Sequence, residues 1–428
     1  MNELPYGIAD FHRIRRQGFV YVDRTAHIRD LERLGSILVF LRPRRFGKSL
    51  WLQTLANYYD VRRKDEHEDL FGGLAAGGEA ATPLANRYFV LQWNFSTVDP
   101  GGTVAQIAES LREHVSAQAE VFAREYRDFL APIKVDGSPA AILRSILLAV
   151  SETPYKLYLL IDEYDNFVNE VMVQDAGTYR ALFGKDGPYK QLFKSVKSGT
   201  EGQGLERVFV TGVSPVALNE LRDGFNIAED VSLAPELASL CGFREAELRG
   251  ILRSVAEDRG LAPGRIDEAL DTMRAWYNGY RFARGTTELI FNPTDVIDFL
   301  RQVRLHREPP RQVHGEIGSP DARKLGVVAR TKAGTDVIEE LTESDDGTVT
   351  VAGLEASLSL DDLARRMAKD RGVVASALYY MGLLTQTEDP FRLEIPNLGV
   401  KKRLVDLRAL GDEPERILGD WPGQGRER

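Results

Sequence analysis

Four short runs in this chain are predominantly apolar: SILVFL (36–41), RYFVLQWNF (87–95), KLYLLI (156–161) and RVFVTG (207–212). A strand with one face in water alternates apolar and polar residues, whereas a strand covered on both faces of a parallel sheet does not. Between the runs lie helical patterns: SLWLQTLANYY (49–59), residues 103–130, PAAILRSILLAVSE (139–152) and GPYKQLFKSVKSG (187–199). Strand and helix alternate, which predicts an α/β fold with a parallel sheet and right-handed crossovers. A fifth run, FVYVD (19–23), is expected to join the same layer.

The 428 residues, 43% of them hydrophobic, are enough for two or three domains with cores of their own. A single cysteine, Cys241, excludes a disulfide framework and a cysteine-based zinc site, and fits a reducing cytoplasm. The net charge of −9 argues against a general electrostatic grip on nucleic acid, although a local basic stripe fits within that total. The N-terminus has no apolar h-region, and no run approaches the length of a membrane span. A soluble, cytoplasmic protein is expected.

The first run leads directly into RPRRFGKS, Arg42 to Ser49. A phosphate-binding loop reads G-x-x-x-x-G-K-[ST]; Gly47, Lys48 and Ser49 comply, and Arg42 stands in place of the first glycine. Such a loop works because backbone N–H groups curl around phosphates at a helix N-terminus. The residues from Arg42 through Pro43, Arg44, Arg45, Phe46 and Gly47 to Lys48 and Ser49 are the candidate nucleotide-binding set. Lys48 would reach the β- and γ-phosphates, and Ser49 would take a Mg²⁺ position. The competing reading is a basic surface turn capped by Ser49; the strand, loop and helix order favours the nucleotide.

A second element is independent of the first. The run KLYLLI ends in Asp162-Glu163. In Walker-type ATPases an aspartate at such a strand tip holds Mg²⁺ through water and the next glutamate polarises the attacking water, so Asp162 is the second candidate metal residue and Glu163 the catalytic one. A solvated acidic cap is the alternative. The fourth run ends in Thr211, the first choice for a polar residue between loop and carboxylate strand, with Ser214 the second. Asn94 and Ser96, at the end of the second run, are candidates to restrain Glu163.

Beyond about residue 240 the strand signal fades and residues 241–304 read as a helical lid, followed by a proline- and glycine-containing linker at 305–320. Residues 321–410 combine helices with a hairpin, LLTQT and FRLEI, a pattern compatible with a winged helix; 411–428 reads as a frayed tail.

Taken in order, LPYGIADF, YVDRT, RPRRFGKS, LYLLIDEYDNF, FVTGVSPVAL, GFNIAED, WYNGYRF and FNP run from Leu4 to Pro293 and resemble the bacterial and fungal family of predicted AAA-ATPase-like proteins. An arginine in place of the first glycine is usual in that family, so the resemblance makes Arg42 a family feature. The fold it implies is an α/β P-loop NTPase of the additional-strand, AAA/STAND-like kind, with residues 1–240 as the core. Many members carry a C-terminal PD-(D/E)xK nuclease-like domain. No [DE]-x-Lys occurs in these residues, so that domain is expected to be absent, by nature or by truncation.

The resemblance implies ATP and Mg²⁺ as cofactors and hydrolysis of the β–γ phosphoanhydride, with Lys48, Glu163 and Thr211 as catalytic residues. The expected function is a slow, ATP-driven conformational switch that closes the lid and repositions the C-terminal region. The alternative is a nucleotide-regulated nucleic-acid-binding protein, carried by DDLARRMAKDR (361–371) and GVKKRL (399–404). A protein partner or a homo-oligomer is compatible with either. Within WYNGYRF the aromatics read as packing, and Arg281 is left open as a γ-phosphate sensor.

Overall fold

The computed structural model describes residues 3–260, 263–308, 310, 325, 326 and 328–411. By packing, the chain divides into two compact units. A sheet unit comprises Asp23–Leu41 and Lys48–Val231; a helical unit comprises Met1–Val22, Arg42–Gly47 and Ser232–Arg428.

In the sheet unit, β1 (Ile37–Leu41), β2 (Tyr88–Asn94), β3 (Lys156–Asp162), β4 (Leu205–Gly212) and β5 (Glu229–Asp230) form one sheet in the order β2-β3-β4-β1-β5. Every adjacent pair is parallel. The α/β P-loop architecture expected from the sequence is present, with β4 inserted between the strand that precedes the loop and the strand that ends in the carboxylates. Consecutive residues of β1, β3 and β4 are buried almost throughout, as two covered faces require.

The helices form where their ends are specified. The Val104–Glu125 helix starts at a reciprocal capping box between Thr103 and Gln106, and buries Ile107, Leu111, Val115, Ala119 and Phe122 along one stripe. Each of the larger side chains contributes about 1.5–3 kcal/mol relative to exposure. The Pro139–Ser151 helix combines a Ser138 cap with proline at its first turn, and Pro188–Thr200 also opens on proline. These three helices pack in a row and against the strands, while Lys48–Tyr59 packs on β2 and β3. Two further helices, Asn166–Gln174 and Ala176–Phe183, fill the crossover between β3 and β4.

One expectation fails. Residues 19–23, FVYVD, form no strand. The Val20 N–H donates to the Glu3 carbonyl, and the Asp23 carboxylate accepts from the N–H and hydroxyl of Thr25 and the N–H of Ala75. Those bonds divert the segment from a ladder. The fifth strand is the short Glu229–Asp230, whose two exposed acidic residues carry no apolar signature.

In the helical unit, Glu245–Arg259, Pro263–Tyr277 and Pro293–His306 enclose a core that includes Leu252, Met273, Tyr277, Phe291 and Phe299, joined by Leu4. The last of these helices runs into the stretch read as a linker; 309 and 311–320 of that stretch lie outside the described residues. Then follow the Lys332–Glu343 helix, β6 (Thr348–Thr350), helices Leu360–Arg366 and Arg371–Tyr380, β7 (Thr385–Gln386), β8 (Arg392–Glu394) and the Leu398–Gly411 helix. The three strands form an antiparallel sheet in the order β6-β8-β7. The expected tail falls, after Gly411, outside the described residues.

Glycine is needed at 279, in the WYNGYRF motif. Its φ is +98°, and a Cβ there would lie 1.8 Å from the Pro396 carbonyl oxygen. Replacement of Gly279 by alanine is expected to cost about 3 kcal/mol or more, read as a lower midpoint in chemical denaturation. An unchanged midpoint would contradict this packing.

Candidate functional site

Parallel register places the C-terminal ends of the sheet-unit strands side by side, and the polar residues of interest are at those ends. Ile161 pairs with Val210, so Asp162, the last residue of β3, is level with Thr211 of β4. The Asp162 carboxylate is buried and receives three hydrogen bonds. Ser49 Oγ donates to Oδ2 at 2.6 Å, Thr211 Oγ1 donates to Oδ1 at 2.6 Å, and the Glu163 N–H donates to Oδ1 at 3.0 Å. A buried carboxylate without such donors would be strongly disfavoured.

Glu163 has φ +51°, a left-handed conformation that costs a non-glycine residue about 1–3 kcal/mol and persists only when its surroundings impose it. Its carbonyl accepts from the Asn166 N–H at 3.0 Å. Lys48, the first residue of the Lys48–Tyr59 helix, is buried. Ser49, Asp162, Glu163 and Thr211 are therefore linked directly, and Lys48 adjoins Ser49 in sequence. Thr211 is fully buried and turns its hydroxyl to Asp162.

The preceding residues belong to the helical unit, where their side chains are anchored. The Arg42 guanidinium is 2% exposed, donates to the carbonyls of Ser232 at 2.6 Å and Leu237 at 3.1 Å, and lies 4.2 Å from the Phe282 ring centroid. Phe46 meets Tyr280 and Phe282 edge-on at 4.8 and 5.2 Å. Pro43 is buried, and a Cβ on Gly382 would come within 2.8 Å of it. Arg44 is half-buried and Arg45 exposed; the Arg45 carbonyl accepts from Thr294 Oγ1 at 3.0 Å. The side chains of Arg42 and Phe46, counted from sequence among nucleotide-binding residues, are committed to protein here, so what these positions offer a ligand is backbone. Gly47 has φ +95°, and a Cβ on it would meet nothing within 4 Å, so its backbone is open to close approach.

Arg42→Ala removes two charge-assisted hydrogen bonds and a cation–π contact, and is expected to destabilise the protein by about 3 kcal/mol in a denaturant titration. Arg42→Lys should restore little, because an ammonium lacks the planar fork that serves both carbonyls. Full stability in Arg42→Ala would contradict the anchoring.

The Ser214 N–H donates to Asp165 and its Oγ accepts from the Val216 N–H, so it acts in turn geometry. Asn94 is in register with Asp162 and caps its own turn through the Ser96 N–H. The Arg281 guanidinium pairs with Glu388 and donates to the Thr286 carbonyl. Tyr277, Tyr280 and Phe282 are buried, in accord with packing. Sequence reasoning passed over Asp165, three residues after Asp162 in DEYD, which is buried and bonded to the β4 exit.

A family model described as predicted AAA-ATPase matches residues 5–222, a span that contains every residue of this cluster. The chain belongs to that family. This AAA-ATPase-like protein is also 25% identical, over 421 residues, to an uncharacterized protein from the vnfD 5′ region of Azotobacter chroococcum mcd 1; the match covers 96% of this chain and 71% of the relative. Among solved structures it is similar to the ORC2 protein of Aeropyrum pernix in ADPNP–ADP complexes, at 12% identity and a TM-score of 0.46, covering 96% of this chain and 95% of that one. A Walker-type ATPase of Pyrococcus abyssi matches at 13% identity and a TM-score of 0.48, covering 95% and 99%. No helix among the described residues of the AAA-ATPase-like chain is long and apolar enough to cross a membrane.

Proposed function

We propose that this AAA-ATPase-like protein binds Mg·ATP and hydrolyses it slowly, as a conformational switch. The observation that carries the reading is the convergence of the Ser49 and Thr211 hydroxyls on the buried Asp162 carboxylate, with Glu163 the next residue. A hydroxyl and a carboxylate are hard oxygen donors that suit Mg²⁺. Ser49 would hold the ion directly and Asp162 through water. When bound, Mg²⁺ neutralises charge on the β- and γ-phosphates. Lys48 places a second positive charge on the same phosphates, and the first turn of the helix it opens supplies N–H donors. Glu163 orients the attacking water and accepts its proton, while Thr211 keeps Asp162 aimed at Ser49. Phosphate release by the purified chain, measured with and without Mg²⁺, tests this; Mg²⁺-independent or absent release would overturn hydrolysis.

The nucleic-acid alternative is favoured by one observation, the order helix, β6, two helices, β7, β8, which we read as winged-helix-like. The side chains weaken it. Val373–Tyr380, in the helix that would enter a groove, are all buried. Arg366 is paired with Glu355, Asp362 and Asp370, Arg371 with Glu340, and Arg392 with Asp346. Charges so neutralised release few counterions. Duplex DNA affinity is accordingly expected to be weak and to change little over a salt titration; tight binding that falls steeply with salt would restore the alternative.

A further inference from the structure

Asp165 occupies the N-cap position of the Asn166–Gln174 helix, yet its side chain makes no capping bond to that helix. It reaches instead to the exit of β4, where its carboxylate accepts from the N–H groups of Val213 at 3.2 Å and Ser214 at 2.8 Å, while Asn169 Nδ2, on the first turn of the helix, donates to it at 2.8 Å. Tyr164 crosses in the same direction. Its N–H donates to the Thr211 carbonyl at 3.0 Å, its hydroxyl donates to the Ser214 carbonyl, and its own carbonyl accepts from the Tyr189 hydroxyl. The fit is close enough to dictate the neighbouring residue: a Cβ on Gly212 would lie 2.4 Å from the Tyr164 ring and 2.6 Å from Asp165 Oδ1.

Glu163 stands between two fixed points. Asp162 holds its N–H, and the next residue, Tyr164, is tied to β4 on both its backbone and its hydroxyl. The left-handed φ of Glu163 is imposed from both sides, which is the condition under which such a conformation survives. We propose that Asp165 is a positioning residue for hydrolysis: by locking the β4 exit to the turn after β3 it fixes Glu163 relative to Thr211 and Asp162. This rests on the reading of Glu163 given above. The carboxylate acts through backbone N–H groups, so its loss leaves Lys48, Ser49 and Asp162 in place and disturbs the orientation of Glu163.

The test compares Mg·ATP affinity, steady-state phosphate release and melting temperature in the native chain, Asp165→Asn, Tyr164→Phe and Glu163→Gln. Asn keeps one acceptor and loses the other. Misplacing a catalytic group by about 1 Å costs up to about a hundredfold, so turnover in Asp165→Asn should fall by about tenfold to a hundredfold while Kd stays within about twofold of native. Tyr164→Phe, which removes a single hydrogen bond, should show the same split at smaller amplitude, and decides the matter if Asp165→Asn does not fold. Native turnover in Asp165→Asn beside an inactive Glu163→Gln overturns this inference alone. Affinity, turnover and melting temperature falling together in both variants also overturn it, since that is a structural role. If the native chain releases no more phosphate than Glu163→Gln, the hydrolysis reading fails and this inference with it.

Discussion

Glu163→Gln is expected to bind Mg·ATP as tightly as the native chain and to release phosphate about a hundredfold to ten-thousandfold more slowly, the range that general-base catalysis contributes. The substitution keeps shape and hydrogen-bonding reach and removes the proton acceptor. Glu163 follows a carboxylate already occupied by Ser49 and Thr211, and the two acids are held differently: Asp162 by hydroxyls, and Glu163 through its backbone in a left-handed turn. Single-turnover phosphate release measures the effect. Unchanged release would remove Glu163 from the mechanism.

The second large effect is expected at Lys48. Lys48→Ala should weaken Mg·ATP binding by about a hundredfold, equivalent to about 2.7 kcal/mol, because a charge-assisted contact to phosphate is lost in a buried position. Its fold should survive, since alanine is a good helix former at the start of Lys48–Tyr59. Equal affinity in a folded Lys48→Ala protein would place the nucleotide elsewhere.

Particular residues explain how far the sequence could be read. The core strands were legible because burial on both faces makes them continuously apolar, and Asp162 and Glu163 were legible because they interrupt such a run at its end. The fifth strand was not, since two exposed acidic residues have no periodicity, and FVYVD misled because β-rich composition says nothing about where backbone N–H groups go. Arg42 was legible as a departure from the loop pattern, but its partners, the carbonyls of Ser232 and Leu237, are far away in sequence and are backbone atoms, which leave no trace in residue type. Asp165 was hidden for the same reason: its partners are the N–H groups of Val213 and Ser214. The pairing of Arg371 with Glu340 and of Arg392 with Asp346 likewise depends on tertiary structure, whereas Arg366 meets Asp362 and Asp370 at a local spacing of four within DDLARRMAKDR.

Mg·ATP is proposed to bind at Lys48, Ser49 and Asp162. The most direct measurement is a titration of the folded protein with a fluorescent ATP analogue, run with Mg²⁺, with chelator, and with Lys48→Ala in parallel. Saturable binding that weakens on removal of Mg²⁺ and in Lys48→Ala is the predicted result. No binding at millimolar nucleotide, or binding indifferent to both Mg²⁺ and Lys48, would contradict it.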